Sequence, residues 1–252
     1  MACATPRLLA LGDSAWTVEF GTGIDPAINA RVMALAGHIE RLRSAEATLA
    51  CITDVVPTFR SLTVHFDPLA ANAGQLGEQL LALATQGGEA THAGRSWQLP
   101  VCFEPEFAPD LPRLAQARGL SEQEVIERLL GCTLRVYMIG FLPGFPYMGG
   151  LPAELAMPRL SSPRQRVPAH SVAVTGQMCA VYPWESPGGW NLIGRTPVAL
   201  FDLAHATQPA MLSAGDSVHW IAVSRQEHDA LSRQAQAGQL ERERFLVQEA
   251  RT

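Results

Sequence analysis

The sequence predicts an α+β protein built from two domains, and three observations support this class. Residues 7–83 alternate between helical and strand-like spacing of apolar residues. Residues 85–95 (TQGGEATHAGR) are small, polar and rich in Gly, which marks a domain boundary. Residues 96–223 hold many short strand-like pieces, which are typical of a closed barrel or a sandwich. The expected segments are a small α/β sandwich over residues 1–90, a β-rich domain over 91–224 and a helical tail over 225–252.

The N-terminal domain is expected to begin with a hairpin over residues 7–20, whose turn is Gly12-Asp13-Ser14. Asp25-Pro26 then starts a helix, because Asp is a good N-cap and Pro fits the first helical position. The apolar residues that follow share one helical face: Ile28, Val32, Leu35, Ile39 and Leu42. These patterns predict an amphipathic helix behind the hairpin.

Two strands and a second helix are expected next. Residues 48–56 and 61–66 have strand-like composition, and Pro57 separates them. Asp67-Pro68 repeats the helix start signal and is expected to cap a helix that runs to about Leu83. With the hairpin and the first helix, these elements make one compact α+β unit.

The second domain is expected to open with a strand over residues 97–103 and a short helix over 111–118. Ser121 begins another helix, since Glu124 follows at the spacing of a capping box. The later elements are expected to be strands over 133–139, 172–174, 179–182, 198–201 and 217–223, and then a helix from Arg225 that Gly238 interrupts.

The composition excludes several classes of protein. A chain of 252 residues can bury a core that needs no disulfide or metal. The net charge of −5 argues against a binder of nucleic acid or of anionic membranes. The five cysteines form no CxxC pair, so neither a disulfide framework nor a zinc site is expected. Since no secretory leader and no apolar run of about 18 residues is found, we expect a cytoplasmic protein.

Three arginines stand among prolines in residues 158–168: Arg159, Arg164 and Arg166. Guanidinium groups at this spacing repel one another unless an anion joins them, and in an extended segment Arg164 and Arg166 can share a face. One interpretation is a binding site for carboxylate, phosphate or carbonate. The other is a solvated surface loop whose acidic neighbours compensate the arginines.

A second candidate is the segment Ser186-Pro187-Gly188-Gly189-Trp190, followed by Arg195. The two glycines permit unusual backbone angles and can expose N–H groups to an anion. Trp190 can stack on a planar group whose charge Arg195 binds. The alternative is a tight turn with Trp190 in the core. The segment is not a P-loop, because the GxxxxGK[ST] pattern is absent.

Residues 141–147 (FLPGFPY) interleave aromatic residues with Gly and Pro, which predicts a rigid apolar wall. Phe145 and Tyr147 are expected to line a ligand pocket, a protein interface or a plain core loop. No HExxH pattern and no GxSxG elbow is present, so neither a metal site nor a serine hydrolase is expected. His170 lies beside the arginines and is the candidate acid/base group or phosphate contact, with a structural histidine as the alternative.

Three long motifs give the chain a resemblance to a known family. They are residues 135–151 (RVYMIGFLPGFPYMGGL), the Pro-Arg segment that ends in Arg166-Val-Pro168, and residues 186–202 (SPGGWNLIGRTPVALFD). The sequence resembles the B subunits of bacterial ATP-dependent 5-oxoprolinases. That family is also called allophanate hydrolase subunit 1 and includes a sporulation-kinase inhibitor (KipI). Phe20-Gly21 and residues 65–68 (HFDP) are similar to its N-terminal landmarks, so the resemblance covers nearly the whole chain.

The resemblance implies a cyclophilin-like β-barrel in the C-terminal domain and a multi-subunit complex. The implied partners are a homologous C-type subunit (KipA, or allophanate hydrolase subunit 2-like) and a third, A-type subunit (LamB/YcsF-like). The complex would cleave 5-oxo-L-proline to L-glutamate with hydrolysis of ATP, which is expected to act with Mg, and the chain alone would be inactive. Arg159, Arg164, Arg166 and Arg195 would bind carboxylate or stabilise phosphoryl charge, with His170 as a catalytic group.

Other functions stay open at this point. One branch of the family implies a binding protein that inhibits a histidine kinase, and related modules imply half of a biotin- and urea-dependent carboxyltransferase or an amidase. The implied barrel alone suggests a prolyl isomerase. The chain departs from the family at His170, where Gly is usual, and at residues 176–180 (GQMCA). Because a larger side chain fills space and restricts the backbone, the substrate can differ here.

Overall fold

The structure is a computed structural model in which residues 5–86 and 94–247 are described. The chain divides into two compact units, residues 1–93 and 94–252. Residues 87–93, the centre of the expected boundary, lie outside the described residues. None of the described helices combines the length and the apolar composition of a membrane span.

The first unit contains a four-stranded antiparallel sheet. The predicted hairpin is present as β1 (Arg7–Ala10) and β2 (Ala15–Glu19). With β3 (Ile52–Pro57) and β4 (Ser61–Phe66) they form the order β1-β2-β4-β3. Strand β3 is shorter than predicted, because a 3₁₀ turn at Ala47–Leu49 precedes it. Alternate residues of β4 enter the core, as the two-residue period of a strand requires: Leu62, Val64 and Phe66.

Two helices pack on this sheet and share its apolar core: α1 (Pro26–Leu42) and α2 (Ala73–Gln86). As predicted, Asp25 caps α1, and its carboxylate accepts a hydrogen bond of 2.7 Å from the backbone N–H of Ala27. Helices on a sheet give the predicted α/β sandwich.

The predicted start of α2 is wrong. The side-chain oxygen of Asn72 accepts a hydrogen bond of 3.1 Å from the N–H of Gln75, so Asn72 occupies the cap position. Asp67, which was expected to cap the helix, instead accepts a 2.9 Å hydrogen bond from the N–H of Leu69 and closes a local turn. Both residues are good caps, and only the packed structure selects between them.

Residues 94–247 of the second unit form nine strands. In chain order they are β5 (Ser96–Val101), β6 (Leu134–Ile139), β7 (Pro146–Gly149), β8 (Arg164–Val167), β9 (Ser171–Thr175), β10 (Met178–Val181), β11 (Ser186–Gly188), β12 (Asn191–Arg195) and β13 (Ser217–Ala222). Seven of them form one sheet of order β12-β9-β10-β7-β6-β13-β5, and β8 and β11 form a separate two-stranded ribbon.

The seven-stranded sheet closes almost completely on itself. Cys102, just after β5, exchanges backbone hydrogen bonds of 2.9 and 3.0 Å with Arg195 at the end of β12. The inward side chains form an apolar core that includes Val136, Met148, Val172, Val174, Val181, Ile193 and Val218. The predicted α+β class with a C-terminal β-barrel is confirmed.

In the described part of this unit, three helices accompany the barrel: α3 (Leu111–Arg118), α4 (Glu122–Leu130) and α5 (Arg225–Gln236). All three begin where the sequence predicts them. The helical tail predicted over residues 225–252 is too long, because α5 ends at Gln236 and only a 3₁₀ turn at Arg242–Phe245 follows within the described residues. Ser121 and Glu124 form the predicted capping box. After α5 the chain turns at Gly238, whose φ is 66°.

The strand predicted over residues 198–201 is wrong. Val198 and Leu200 are buried in the barrel core with the alternation of a strand. The segment nevertheless forms no ladder within the described residues, and a single bridge joins Phe201 to Ala210. Period-two burial therefore occurs here with one bridge rather than a ladder of paired strands.

Candidate active site

A pocket of about 320 Å³ lies beside the ribbon formed by β8 and β11. Its walls come from the loop after β6, from β7, from the proline-rich segment before β8 and from the end of β10. Six residues singled out from the sequence line this pocket: Phe145, Tyr147, Arg159, Gly188, Gly189 and Trp190.

Phe145 is the centre of an aromatic cluster. Its ring lies edge-to-face against Tyr182 and Trp190, with 5.1 and 6.1 Å between ring centroids. The ring of Tyr147 is 4.9 Å away. Because such contacts fix the orientation of each ring, the pocket walls are held rigidly. Phe141 also lines the pocket but is 64% exposed.

The loop that carries Phe141 is tightly constrained. The N–H of Leu142 donates a 2.9 Å hydrogen bond to the carbonyl of Gly140, and Phe141 between them has a φ of 69°. This conformation is uncommon for a residue with a side chain. At Gly144 a Cβ would lie 2.7 Å from the Cβ of Phe201, so only glycine fits there. The aromatic wall is therefore set by a strained, closely packed turn.

Gly188 is required by a neighbouring side chain rather than by an unusual backbone angle. A Cβ at this position would lie 2.3 Å from the hydroxyl oxygen of Tyr182. At Gly189 the nearest atom to a Cβ would be 3.6 Å away, an ordinary contact. The backbone of Trp190 also makes a hydrogen bond to the Tyr182 hydroxyl. The close contact with Gly188 of β11 therefore holds the side chain of Tyr182 in the pocket wall.

Arg159 supplies the positive charge of the pocket. Its side chain is exposed, and no carboxylate among the described residues pairs with it. Burial raises the pKa of the phenols of Tyr147 and Tyr182, and the nearby Arg159 charge offsets this only in part. Both phenols are therefore neutral at pH 7.

The structure separates the other two arginines of the cluster. Arg164 donates a 2.8 Å hydrogen bond to Oδ1 of buried Asp110, whose Oδ2 accepts one of 2.7 Å from the N–H of Leu192. Arg166 is exposed and donates hydrogen bonds of 2.8 and 3.1 Å to the carboxylate of Glu185. Acidic neighbours therefore compensate both, and the three arginines do not surround one anion.

Arg195, His170 and Ser186 do not line this pocket. The guanidinium carbon of Arg195 lies 4.6 Å from the ring centroid of Phe107, and burial lowers its pKa. His170 has a φ of 65°, and its N–H donates a 2.6 Å hydrogen bond to the carbonyl of Tyr182. The hydroxyl of Ser186 is buried and has no hydrogen-bond partner among the described residues.

Tyr182 and Asp110 were not predicted as site residues from the sequence. Tyr182 follows β10 and carries no local signal beyond being aromatic. Asp110 precedes α3 like an N-cap, yet its side chain makes no capping hydrogen bond and instead holds Arg164. No group of three His, Cys, Asp or Glu side chains suited to a metal ion occurs in the described ranges.

Comparison with known proteins agrees with this architecture. Residues 6–212 match the family model of the carboxyltransferase domain, subdomain C and D. The B subunit of 5-oxoprolinase from Bacillus subtilis (strain 168) is 38% identical over 234 residues, which cover 87% of this chain and 94% of that protein.

Solved structures show the same fold. The crystal structure of TTHA0988 is 35% identical and superposes with a TM-score of 0.72, over 83% of this chain and 40% of that one. The Kluyveromyces lactis urea carboxylase superposes with a TM-score of 0.78 at 20% identity, over 94% of this chain and 23% of that one. This chain thus spans less than half the length of either solved chain. It belongs to the family of carboxyltransferase-domain proteins that includes the 5-oxoprolinase B subunits.

Proposed function

We propose that this chain is the B subunit of an ATP-dependent 5-oxoprolinase complex, which cleaves 5-oxo-L-proline to L-glutamate. Its 38% identity to the Bacillus subtilis B subunit supports a role in a hydrolase complex. The observation that carries the proposal is the pocket itself, in which the uncompensated guanidinium of Arg159 stands beside aromatic walls.

The chemistry of the pocket suits a small ring that bears a carboxylate. 5-Oxoproline is a five-membered lactam with one carboxylate. Phe145 and Trp190 offer apolar ring surfaces, and Arg159 offers a planar fork for the carboxylate. The neutral phenol of Tyr182 retains an O–H that can donate to the lactam oxygen. A volume of about 320 Å³ is in the range for a small ligand.

Lactam hydrolysis needs an activated carbonyl, and the described residues that line this pocket include no nucleophile with a base beside it. Ser161 lines it, but no His or carboxylate of the described residues does. ATP bound in the complex would supply this activation by transferring its γ-phosphoryl group to the lactam oxygen, with ADP as the leaving group. The residues that line the pocket do not fit ATP. Its three phosphates would need several donors, whereas Arg159 is the single guanidinium among the described lining residues. We therefore assign ATP binding to one of the two partners, the C-type or the A-type subunit.

Reconstitution tests the proposal. The chain would be combined with the C-type and A-type subunits from the same organism, and release of glutamate and inorganic phosphate would be measured with 5-oxoproline. We expect activity from the complete mixture and none when this chain is omitted. A complete mixture without ATP hydrolysis that depends on 5-oxoproline contradicts the proposal.

The match to carboxyltransferase subdomains favours a second candidate, in which the chain is the B-like half of a biotin-dependent carboxyltransferase. The same preparation would be assayed for carboxyl transfer from carboxybiotin to urea. Transfer in the absence of 5-oxoproline cleavage would select this second function over the first.

A further inference from the structure

A second cluster of polar side chains surrounds the buried ring of Phe107, near the point where β5 and β12 meet. The guanidinium carbons of Arg195 and Arg225 lie 4.6 and 4.8 Å from its ring centroid. The imidazole of His228, on α5, lies 4.5 Å from the same centroid. The three groups therefore contact one buried ring, and none of them lines the pocket of Arg159.

The two arginines differ in how their charge is compensated. Arg225 forms ion pairs with Glu106 and with Asp229. Arg195 pairs with no carboxylate in the described part of the chain, and its Nε is buried without a hydrogen-bond partner. Glu106, the carboxylate that acts on Arg195 electrostatically, is already engaged by Arg225. A half-buried guanidinium without a partner is a place where an anion gains free energy by binding.

His228 supplies a second buried atom, its Nε2, without a hydrogen-bond partner within the described ranges. Its Nδ1 lies 3.2 Å from Oδ1 of Asp229. Because a carboxylate only accepts, we assign the proton to Nδ1 and the lone pair to Nε2. Burial lowers the pKa of His228, so the ring is neutral at pH 7. Nε2 has no hydrogen-bond partner among the described residues, and the side chain is 7% exposed. The cluster thus contains a buried acceptor that requires a donor.

His170 completes the cluster. Its backbone is fixed in the left-handed region, with the N–H bound to the carbonyl of Tyr182 at 2.6 Å and the carbonyl bound to the N–H of Thr196 at 3.1 Å. Ser171, the next residue, pairs with Arg195 between β9 and β12, so His170 lies beside Arg195 in the sheet. Burial, and then the charge of Arg195, lowers the pKa of its imidazole. A residue held in this sparsely populated conformation is typical of functional sites.

We propose that Arg195, His170 and His228 form a second binding site for a small oxyanion that carries both a charged oxygen and an O–H group. The charged oxygens accept hydrogen bonds from Arg195, and the O–H donates to Nε2 of His228. Hydrogen phosphate and bicarbonate have this combination of groups at neutral pH. Sulfate has the charge and shape of phosphate but no O–H, so the site discriminates against it. The inference does not rest on the proposed 5-oxoprolinase function.

Calorimetric titration of the purified full chain tests this site, with inorganic phosphate, bicarbonate and sulfate as separate titrants at neutral pH. We expect phosphate, bicarbonate or both to bind with one-to-one stoichiometry, and sulfate to bind about tenfold more weakly or not at all, since it leaves the His228 acceptor unpaired. Arg195→Gln should weaken binding about tenfold or more. Arg118→Gln removes an exposed arginine of α3 and is the matched control.

Two histidine variants separate the discrimination between phosphate and sulfate from the overall affinity for these anions. His228→Phe keeps a ring against Phe107 but removes the acceptor, so phosphate and sulfate should bind it equally. His170→Gly should weaken the binding of both anions and retain the preference for phosphate over sulfate. Circular dichroism and thermal unfolding check that each variant is folded.

Three outcomes would overturn the inference: no binding of phosphate or bicarbonate, equal affinity of the wild type for phosphate and sulfate, or binding that Arg159→Gln abolishes and Arg195→Gln leaves intact. The comparison of phosphate with sulfate on the wild type needs no variant, so the site can be refuted even where a substitution prevents folding.

Discussion

Replacing Gly188 with Ala tests how the ribbon holds the pocket wall. The new methyl group would lie 2.3 Å from the Tyr182 hydroxyl oxygen and 2.7 and 2.8 Å from two ring carbons. Tyr182 is only 2% exposed and packs against Phe145, so it cannot move without opening the aromatic cluster. Gly189→Ala is a matched control, because the nearest atom to its new methyl group would be 3.6 Å away.

Overpacking in a closed core costs about 1–3 kcal/mol of unfolding free energy. We expect Gly188→Ala to lose about this much, which lowers Tm by about 2–4 °C per kcal/mol in a domain of this size. Gly189→Ala should change the free energy of unfolding by less than about 0.5 kcal/mol. Urea unfolding followed by tryptophan fluorescence measures both, since Trp190 belongs to the same cluster.

The double variant Gly188→Ala/Tyr182→Phe isolates the steric cause. Loss of the hydroxyl removes the 2.3 Å contact but leaves the 2.7 Å contact with Cζ, so we expect partial recovery relative to Tyr182→Phe alone. Equal free energies of unfolding for the two alanine variants would refute the steric argument.

Asp110→Ala should lower the free energy of unfolding by about 1.5–3 kcal/mol, because it leaves the half-buried guanidinium of Arg164 and the backbone N–H of Leu192 without their acceptor. A urea midpoint equal to that of the wild type would contradict this expectation. Since burial raises the pKa of Tyr147 and Tyr182 in the folded state, stability should be unaffected below pH 10.0 and fall as the pH rises past this ordinary tyrosine value. Urea unfolding along a pH series measures this, and stability that increases above pH 10.0 would show the sign to be wrong. Arg166→Gln should change the free energy of unfolding by less than about 1 kcal/mol, since Arg166 is exposed and already paired with Glu185. The activity of the reconstituted complex should stay near the wild-type value. A large loss of kcat would instead support the predicted catalytic role of Arg166.

Local signals in the sequence predicted local structure well. The caps at Asp25 and Ser121 each use hydrogen bonds between residues two or three positions apart, so the sequence contains both partners together. The alternation of β4 was predictable for the same reason. The cap predicted at Asp67 was wrong, because packing decides where the helix begins and Asn72 caps it instead.

The site was predictable only as a segment. The segments 141–147, 158–168 and 186–190 were identified from their Gly, Pro, Arg and aromatic residues, yet the ion pair that each arginine forms depends on distant carboxylates. Glu185 is 19 residues from Arg166, and Asp110 is 54 residues from Arg164. No spacing rule connects such positions. The sequence therefore suggested a cluster of three arginines, whereas in the structure Arg159 lines the pocket and Arg164 and Arg166 form ion pairs.

The claim that Arg159 binds the substrate carboxylate is tested most directly in the reconstituted complex with two lactams. The KM for 5-oxoproline would be compared with the inhibition constant of 2-pyrrolidone, which is the same ring without a carboxylate. We predict that Arg159→Gln raises the KM about tenfold or more and leaves the inhibition constant of 2-pyrrolidone unchanged, whereas Arg118→Gln alters neither. An unchanged KM, or an equal loss for both lactams, would contradict the assignment of Arg159 to the carboxylate.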